Sequence, residues 1–494
     1  MAFNSIEYVI FLPLVYLVYY FTADRIRWFA LLAASLLFYS ATNAPYLFAV
    51  IALVAIVSYS FGIWLDQAAN PKRKLYLLWG GIALNCAVLV VMKYLTFLAL
   101  NLSVLAGYFS DDVSIRPVEA LVAVGVSYYV FQAISYLCDI YLGLEKPERH
   151  FGYFTLYLAF FPKLMQGPIE RCGHLLPQLK AKYEFNYDNM RSGLLLFTWG
   201  LFKKVVVADR LAIFVNSVYD DVYSYNGFPL LLATCFYALQ IYCDFSGYTD
   251  MALGTARLFN IKLTQNFNRP YLATSVADFW RRWHISFSSW ILDYIFKPLQ
   301  MQWRNWKNLG TAAALMVTFF VSGLWHGASW CFVIWGVIHG IYLACSVFYR
   351  PYKKRIHKAL GLDKTRLLKV GQIVTTFAMV CFAWIFFRAN STSDAWYVVT
   401  NLFSGYLDFI RNLDDIEVLR KNLMLKSGIG KLELLQALLA VGIVFIAETN
   451  LVSRIMARFY EWNIALRWSY YFSIVLVILL FGVFDNKLFL YNRF

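Results

Sequence analysis

The sequence predicts an all-α, polytopic membrane fold, and three observations predict it. Of the 494 residues, 61% are hydrophobic and 15% charged, with a mean hydropathy of +0.56, whereas soluble domains average about 45–50% apolar and about 25% charged. Long apolar runs recur from the first residues to near the last. Most of the Lys and Arg behind the net charge of +15 sit in short clusters between those runs, as in the loops of membrane proteins. Lipid is therefore the main solvent, and nucleic-acid binding, which the charge alone would suggest, is set aside.

The apolar runs fall near 5–22, 26–42, 45–65, 75–92, 95–109, 118–142, 152–165, 193–208, 228–243, 311–325, 328–348, 369–388, 433–449 and 468–485. A perpendicular helix needs roughly 20 residues, so about ten to thirteen crossings are expected, with the shorter runs as re-entrant or interfacial helices shielded by protein. The first run, MAFNSIEYVIFLPLVYLVYYF, lacks a basic n-region and a small-residue cleavage site and is expected to be kept as a span. Arg25 and Arg27 follow it, the next connection near Asn43 is uncharged, and Lys72, Arg73 and Lys74 follow the third run, which places the N-terminus outside. By the same rule Asp112 lies outside, and the basic segment 349–369 with Lys353 is cytoplasmic. The 404–432 stretch mixes Asp414, Asp415 and Glu417 with Arg and Lys and takes no side. No repeat or linker divides the chain, so 1–494 reads as one membrane domain.

A strongly polar residue at membrane depth costs a few kcal/mol and asks for a reason. His150, His174 and His357 lie in polar loops and read as solvated surface. His326 lies inside an apolar run between Gly323 and Gly327, after Trp325. One reading is a core histidine bonded to a neighbouring helix. The other is a general base, since a neutral imidazole takes a proton from an alcohol. His339 follows thirteen residues on. On one continuous helix that is roughly 220° of rotation, so unless the chain breaks at Gly327 it is structural or orients substrate.

At about 100° per residue, 277–297 places Arg282, Ser286, Ser289 and Asp293 in one polar stripe with Asp278, and His284 on the other side beside Trp280. This predicts an amphipathic interfacial helix, with Arg281 and Arg282 either anchoring it to headgroups or meeting an anionic substrate at an entrance. In YCDFSGYTDMALG, Asp244 and Asp250 interrupt apolar sequence. A capped turn, where one helix ends at Gly247 and another begins, explains them better than a metal site. Cys86, Cys138, Cys235, Cys331 and Cys381 sit inside apolar runs without a C-x-x-C pair and read as packing, so no metal is expected. KSGIGK at 426–431 lacks the P-loop spacing, and neither G-x-S-x-G nor H-E-x-x-H occurs, so ATP-driven transport, serine-hydrolase and zinc chemistry lack support.

Five ordered segments resemble the membrane-bound O-acyltransferase family, in its bacterial alginate O-acetyltransferase-like branch. They are FFPKLMQGPIER at 160–171, DFSGYTDMALG at 244–254, QNFNRPYLATSVADFWRRWHISFSSWILDYIFKPL at 265–299, GLWHGASWCFVIWGVIHG at 323–340 and FAWIFFRANSTSDAW at 382–396. The first 110 residues agree only in length and hydropathy, and the tail ends in YNRF where the family is richer in aromatics. The resemblance implies helices curved around a tunnel, a catalytic core within 118–345, His326 as catalytic histidine and His284 as its companion, a position often Asn in the family. It assigns Asn266, Tyr271, Asp244 and Asp250 to structural or tunnel-lining roles, and it implies no bound cofactor. It implies acetyl-CoA as cytoplasmic donor, in a bacterial cytoplasmic membrane. The acceptor is an exported polysaccharide, reached directly or through a serine-esterase-like partner protein outside the membrane. D-alanyl transfer to teichoic acid is the alternative within the family. A polysaccharide flippase, with His326 and His339 as proton relays, is the alternative outside it.

Overall fold

The computed structural model describes residues 1–107, 121–359, 361, 365–411 and 431–484. Asp112, the acidic residues Asp414, Asp415 and Glu417, the KSGIGK glycines and the YNRF tail lie outside them. Every regular element among the described residues is helical.

The chain opens with α1 (Ile6–Phe21), α2 (Asp24–Ser40), α3 (Tyr46–Gln67) and α4 (Pro71–Leu89), and α4 passes through a π-helical turn at Val90–Tyr94 into α5 (Leu95–Gly107). Next come α6 (Val126–Tyr141), α7 (Phe151–Ala159), α8 (Phe161–Leu164), α9 (Cys172–Lys180) and α10 (Tyr187–Phe202), whose π-helical extension Lys203–Ala208 leads into α11 (Asp209–Tyr219). The long α12 (Phe228–Leu258) is followed by the short α13 (Val276–Trp280), α14 (Ile285–Ile291) and, after a π turn at Leu292–Phe296, α15 (Lys297–Gln302). The helices α16 (Lys307–His326), α17 (Trp330–Ala359) and α18 (Arg366–Arg388) complete the centre. Around it stand α19 (Thr392–Asn401), α20 (Tyr406–Arg411), α21 (Lys431–Ala447), α22 (Asn450–Ala457) and α23 (Ile464–Phe481).

Among the described residues, seven helical stretches are long and apolar enough to cross a membrane, and two shorter apolar helices, Ile6–Phe21 and Leu432–Ala447, accompany them. That is fewer than the ten to thirteen expected, for two reasons. The runs at 75–92 and 95–109 are a single 35-residue stretch, Pro71–Leu105. The run at 152–165 is broken into the short, largely buried α7 and α8, and those at 26–42, 118–142 and 193–208 give α-helices of only 16 or 17 residues. The outer helices keep apolar side chains such as Leu14, Phe21, Leu439 and Leu479 exposed, as a lipid-facing surface requires.

Small residues set the closest helix approaches. A Cβ at Gly247 of α12 would stand 2.8 Å from the carbonyl oxygen of Gly200 on α10, and one at Gly254 would stand 2.5 Å from that of Gly193. Backbones this close need glycine. This corrects the turn expected at Gly247: α12 runs unbroken for 31 residues through Asp244 and Asp250. Their carboxylates need no cap, because Lys204 Nζ lies 2.6 Å from Asp244 and Lys203 Nζ 2.7 Å from Asp250. The π-helical extension supplies both lysines.

Candidate active site

Two helix ends and one helix seam hold the histidines. The first is the carboxyl end of α16: His326 is its last residue, and Gly327 follows in extended conformation before α17 begins at Trp330. The chain therefore does break at Gly327, and the rotation counted on a continuous helix does not apply to His339. The two helices return antiparallel on small residues, a Cβ at Gly323 falling 2.4 Å from the Phe332 carbonyl oxygen and one at Gly336 falling 2.3 Å from that of Phe319.

The second is the amino end of α14. The segment 277–297 is not one amphipathic helix: α13 stops at Trp280, and His284 takes left-handed backbone angles (φ 43°, ψ 56°) before α14 starts at Ile285. That region is sparsely used outside glycine, with Asn, Asp and His the tolerated exceptions. The break is held by a crossing segment. Ile285 N donates to the Asn266 carbonyl (2.9 Å), Ser286 N to Asn266 Oδ1 (3.1 Å) and Asn268 N to the Arg282 carbonyl (2.9 Å). Ile169 N adds a bond to Ser286 Oγ at 2.9 Å. His284 is turned inward, as expected, but the break in the helix turns it rather than a helical stripe.

Phe287 and Trp325 join the two histidines. Their rings stack at 4.3 Å; Phe287 lies 5.1 Å from the His284 ring and 5.7 Å from that of His326, and Trp325 lies 6.0 and 4.8 Å from the same two. Trp335 (4.8 Å) and Phe387 (5.2 Å) close the other side of His326. Tyr128 and Phe245 flank His284 at 6.4 and 4.8 Å. His326 is 3% exposed and His284 1%. Among the described residues neither ring nitrogen of His284 has a hydrogen-bond partner, nor has the indole N–H of Trp325 or Trp335, so buried polar atoms converge here without partners.

The third is the seam between α13 and α17. His339, fully buried, accepts a hydrogen bond at Nδ1 from the Trp280 indole (3.3 Å), and its ring lies 5.1 Å from Trp335, the ring that also faces His326. It belongs to the wall behind His326 and His284.

The remaining candidates are arranged around this centre. Asn266 clamps the His284 break. Tyr271 is buried, donates to the Ala238 carbonyl and packs on Trp283 and Phe377. Arg282 pairs with Asp278 at 3.0 Å, whereas exposed Arg281 donates, among the described residues, to the carbonyl of Ala277 one turn back. Asp244 and Asp250 form the lysine pairs described above. Among the described residues no three His, Cys, Asp or Glu side chains are grouped to hold a metal ion. Sequence reasoning missed Lys93. Its ammonium donates to the main-chain carbonyls of Trp325 (2.7 Å) and His326 (3.0 Å), and the neighbouring Tyr94 hydroxyl donates to that of Leu324. A lysine between two apolar runs reads as a loop residue, and only the continuity of α4 and α5 carries it to membrane depth.

Residues 148–388 match the profile of MBOAT, the membrane-bound O-acyltransferase family. The chain is 33% identical over 400 residues to a peptidoglycan O-acetyltransferase of Helicobacter pylori, covering 75% of this chain and 73% of that one. It is also 33% identical over 410 residues to a probable alginate O-acetylase of Azotobacter vinelandii (82% and 78% covered). A teichoic acid D-alanyltransferase of Bacillus subtilis is 26% identical over 303 residues, 60% of this chain and 76% of that one.

Proposed function

The chain belongs to the membrane-bound O-acyltransferase family and is a multi-pass membrane O-acyltransferase, and on that premise we propose that it moves an acetyl group from cytoplasmic acetyl-CoA to a hydroxyl of an exported polysaccharide, with His326 as base. The observation that carries the reading is the α16–α17 hairpin. His326 ends one arm, while the far end of the other carries the basic residues Arg350, Lys353 and Arg355. Twenty residues at about 1.5 Å each separate the two ends by roughly 30 Å, close to a bilayer core. With the basic end cytoplasmic, His326 stands toward the outer half of the membrane, where an exported acceptor arrives.

His326 takes the proton of the acceptor hydroxyl as that oxygen bonds to the acetyl carbon. The carbon–sulfur bond breaks, and the proton passes from the imidazole to the departing thiolate, leaving ester and coenzyme A. The indole N–H groups of Trp325 and Trp335, which lack partners, are the donors nearest at hand for the developing oxyanion. His284, across Phe287 and Trp325, orients the acceptor. Phe387, which lies beyond the core expected at 118–345, also faces His326. The acetylase relatives, at higher identity and over more of this chain than the D-alanyltransferase, support acetyl over D-alanyl transfer. The sugar receives the group directly or through a serine-esterase-like partner outside the membrane.

The test is purified protein with radiolabelled acetyl-CoA and a bacterial exopolysaccharide, with and without His326→Ala. Label should leave coenzyme A with the unmodified protein and remain on it with the variant. Turnover of a D-alanyl carrier protein instead would give the D-alanyl reading, and sugar transport without acetyl turnover would give the flippase. Near-normal transfer by His326→Ala would remove the histidine from its role.

A further inference from the structure

The carboxyl end of a helix leaves four carbonyls without intrahelical partners, and inside a membrane water is not there to satisfy them. At α16 this problem falls on the residues that carry the chemistry. The last three carbonyls, of Leu324, Trp325 and His326, are all met from one place, the π-helical turn Val90–Tyr94. Tyr94 takes the first and Lys93 the other two. Successive residues on an α-helix point about 100° apart, and the π turn brings two neighbours onto one helix end; such turns often mark functional sites. The same face continues into α5. Asn101 Oδ1 accepts the Trp330 indole N–H at 3.1 Å, and the Phe97 ring lies 5.9 Å from that of Trp330. Residues 93, 94, 97 and 101 thus grip both sides of the Gly327 break.

The Lys93 Nζ also lies 5.9 Å from the Trp325 ring. We propose that Lys93, aided by Tyr94, is a positioning residue of the transfer reaction: it fixes the terminal turn of α16 so that the His326 imidazole is held at its working place and angle. This makes the N-terminal helices, which lie outside the family match at 148–388, part of the catalytic centre. The inference rests on His326 being the base.

The experiment is steady-state acetyl transfer from acetyl-CoA by full-length Lys93→Met, Lys93→Arg and Tyr94→Phe proteins in detergent, with the thermal midpoint of each recorded. Misplacing a catalytic group by about 1 Å costs on the order of 100-fold. Lys93→Met should lose about that factor in kcat with KM for acetyl-CoA unchanged, Lys93→Arg should recover most of it, and Tyr94→Phe should lose a few-fold. Unchanged kcat in Lys93→Met, a rise confined to KM, or equal losses in the Met and Arg variants would each overturn the proposal. If Lys93→Met does not accumulate, Tyr94→Phe decides, since it deletes one hydroxyl and leaves the lysine: normal kcat there rejects the proposal. Failure of the underlying reading looks different, because His326→Ala would then remain active whatever the Lys93 variants do.

Discussion

The two histidine turns solve the same problem by opposite means. His326 ends a 20-residue helix in ordinary backbone geometry, and the three carbonyls at that end are capped by a segment more than 200 residues away in sequence. His284 precedes a seven-residue helix in left-handed geometry and is held by Asn266, about twenty residues away, and by Ile169 through Ser286. At His326 the side chain is special and its backbone is supported from a distance. At His284 the backbone itself is special, and side chain and conformation cannot be changed independently except by residues that tolerate both. A buried imidazole is therefore not one kind of object, and its substitutions need matched controls.

The largest expected effect is at the first turn. A general base contributes about 10² to 10⁴ in rate, so His326→Ala should lower transfer by about 10³-fold while insertion and thermal midpoint stay near normal. His284→Ala should lose less, about 10- to 100-fold in kcat. It should also lose thermal stability, since alanine in left-handed geometry costs on the order of 1 kcal/mol where glycine or asparagine does not. Comparing His284→Ala, His284→Gly and His284→Asn separates the two causes. Glycine should restore the midpoint but not the rate, and asparagine, which fits the backbone and keeps a polar group, should restore part of both. Equal midpoints across the series would show that the backbone is not under strain there.

Smaller effects concern what surrounds the turns. Asn266→Ala deletes the side-chain bond to Ser286 N and should cost about 1 kcal/mol, read as a lower midpoint with a drop in kcat smaller than that of His284→Ala. An effect confined to KM would instead place Asn266 on a substrate. At the cationic edge, Arg282 is engaged by Asp278 while Arg281 is not. If donor phosphates are met there, Arg281→Gln should raise KM for acetyl-CoA more than Arg282→Gln does, and by less as salt rises. Unchanged KM with poorer membrane yield would favour a headgroup anchor.

The smallest effect lies outside the membrane, at the far end of the His284 support. Buried Glu170 bonds Thr264 and His174, whose Nδ1 lies 2.6 Å from Glu170 Oε2, and that hydrogen bond raises the His174 imidazole above its ordinary 6.5. A raised value in the folded state means stabilisation that is complete below pH 6.5 and is lost as pH climbs through the raised value. The thermal midpoint should therefore decline slightly on going from pH 6 to mildly alkaline buffer, and His174→Gln should flatten that part of the curve. A slope that survives the substitution would locate the titrating group elsewhere.

The sequence by itself determined the solvent and the family. Hydropathy and loop charge are sums over many residues, so they gave a helical membrane protein without reference to contacts. His326 between two glycines and the five ordered motifs were legible because each is local. Tertiary structure alone decided where helices stop. The 277–297 stripe and the Gly247 turn were misread because periodicity extends a helix until something breaks it, and here the breaking and mending groups come from elsewhere: Asn266 ends one helix, Lys203 and Lys204 let another run on. Lys93 was hidden for the same reason. Whether a lysine is a loop residue or the cap of a helix end depends on which carbonyls lie within 3 Å of its amine, and those carbonyls belong to residues more than 230 positions away.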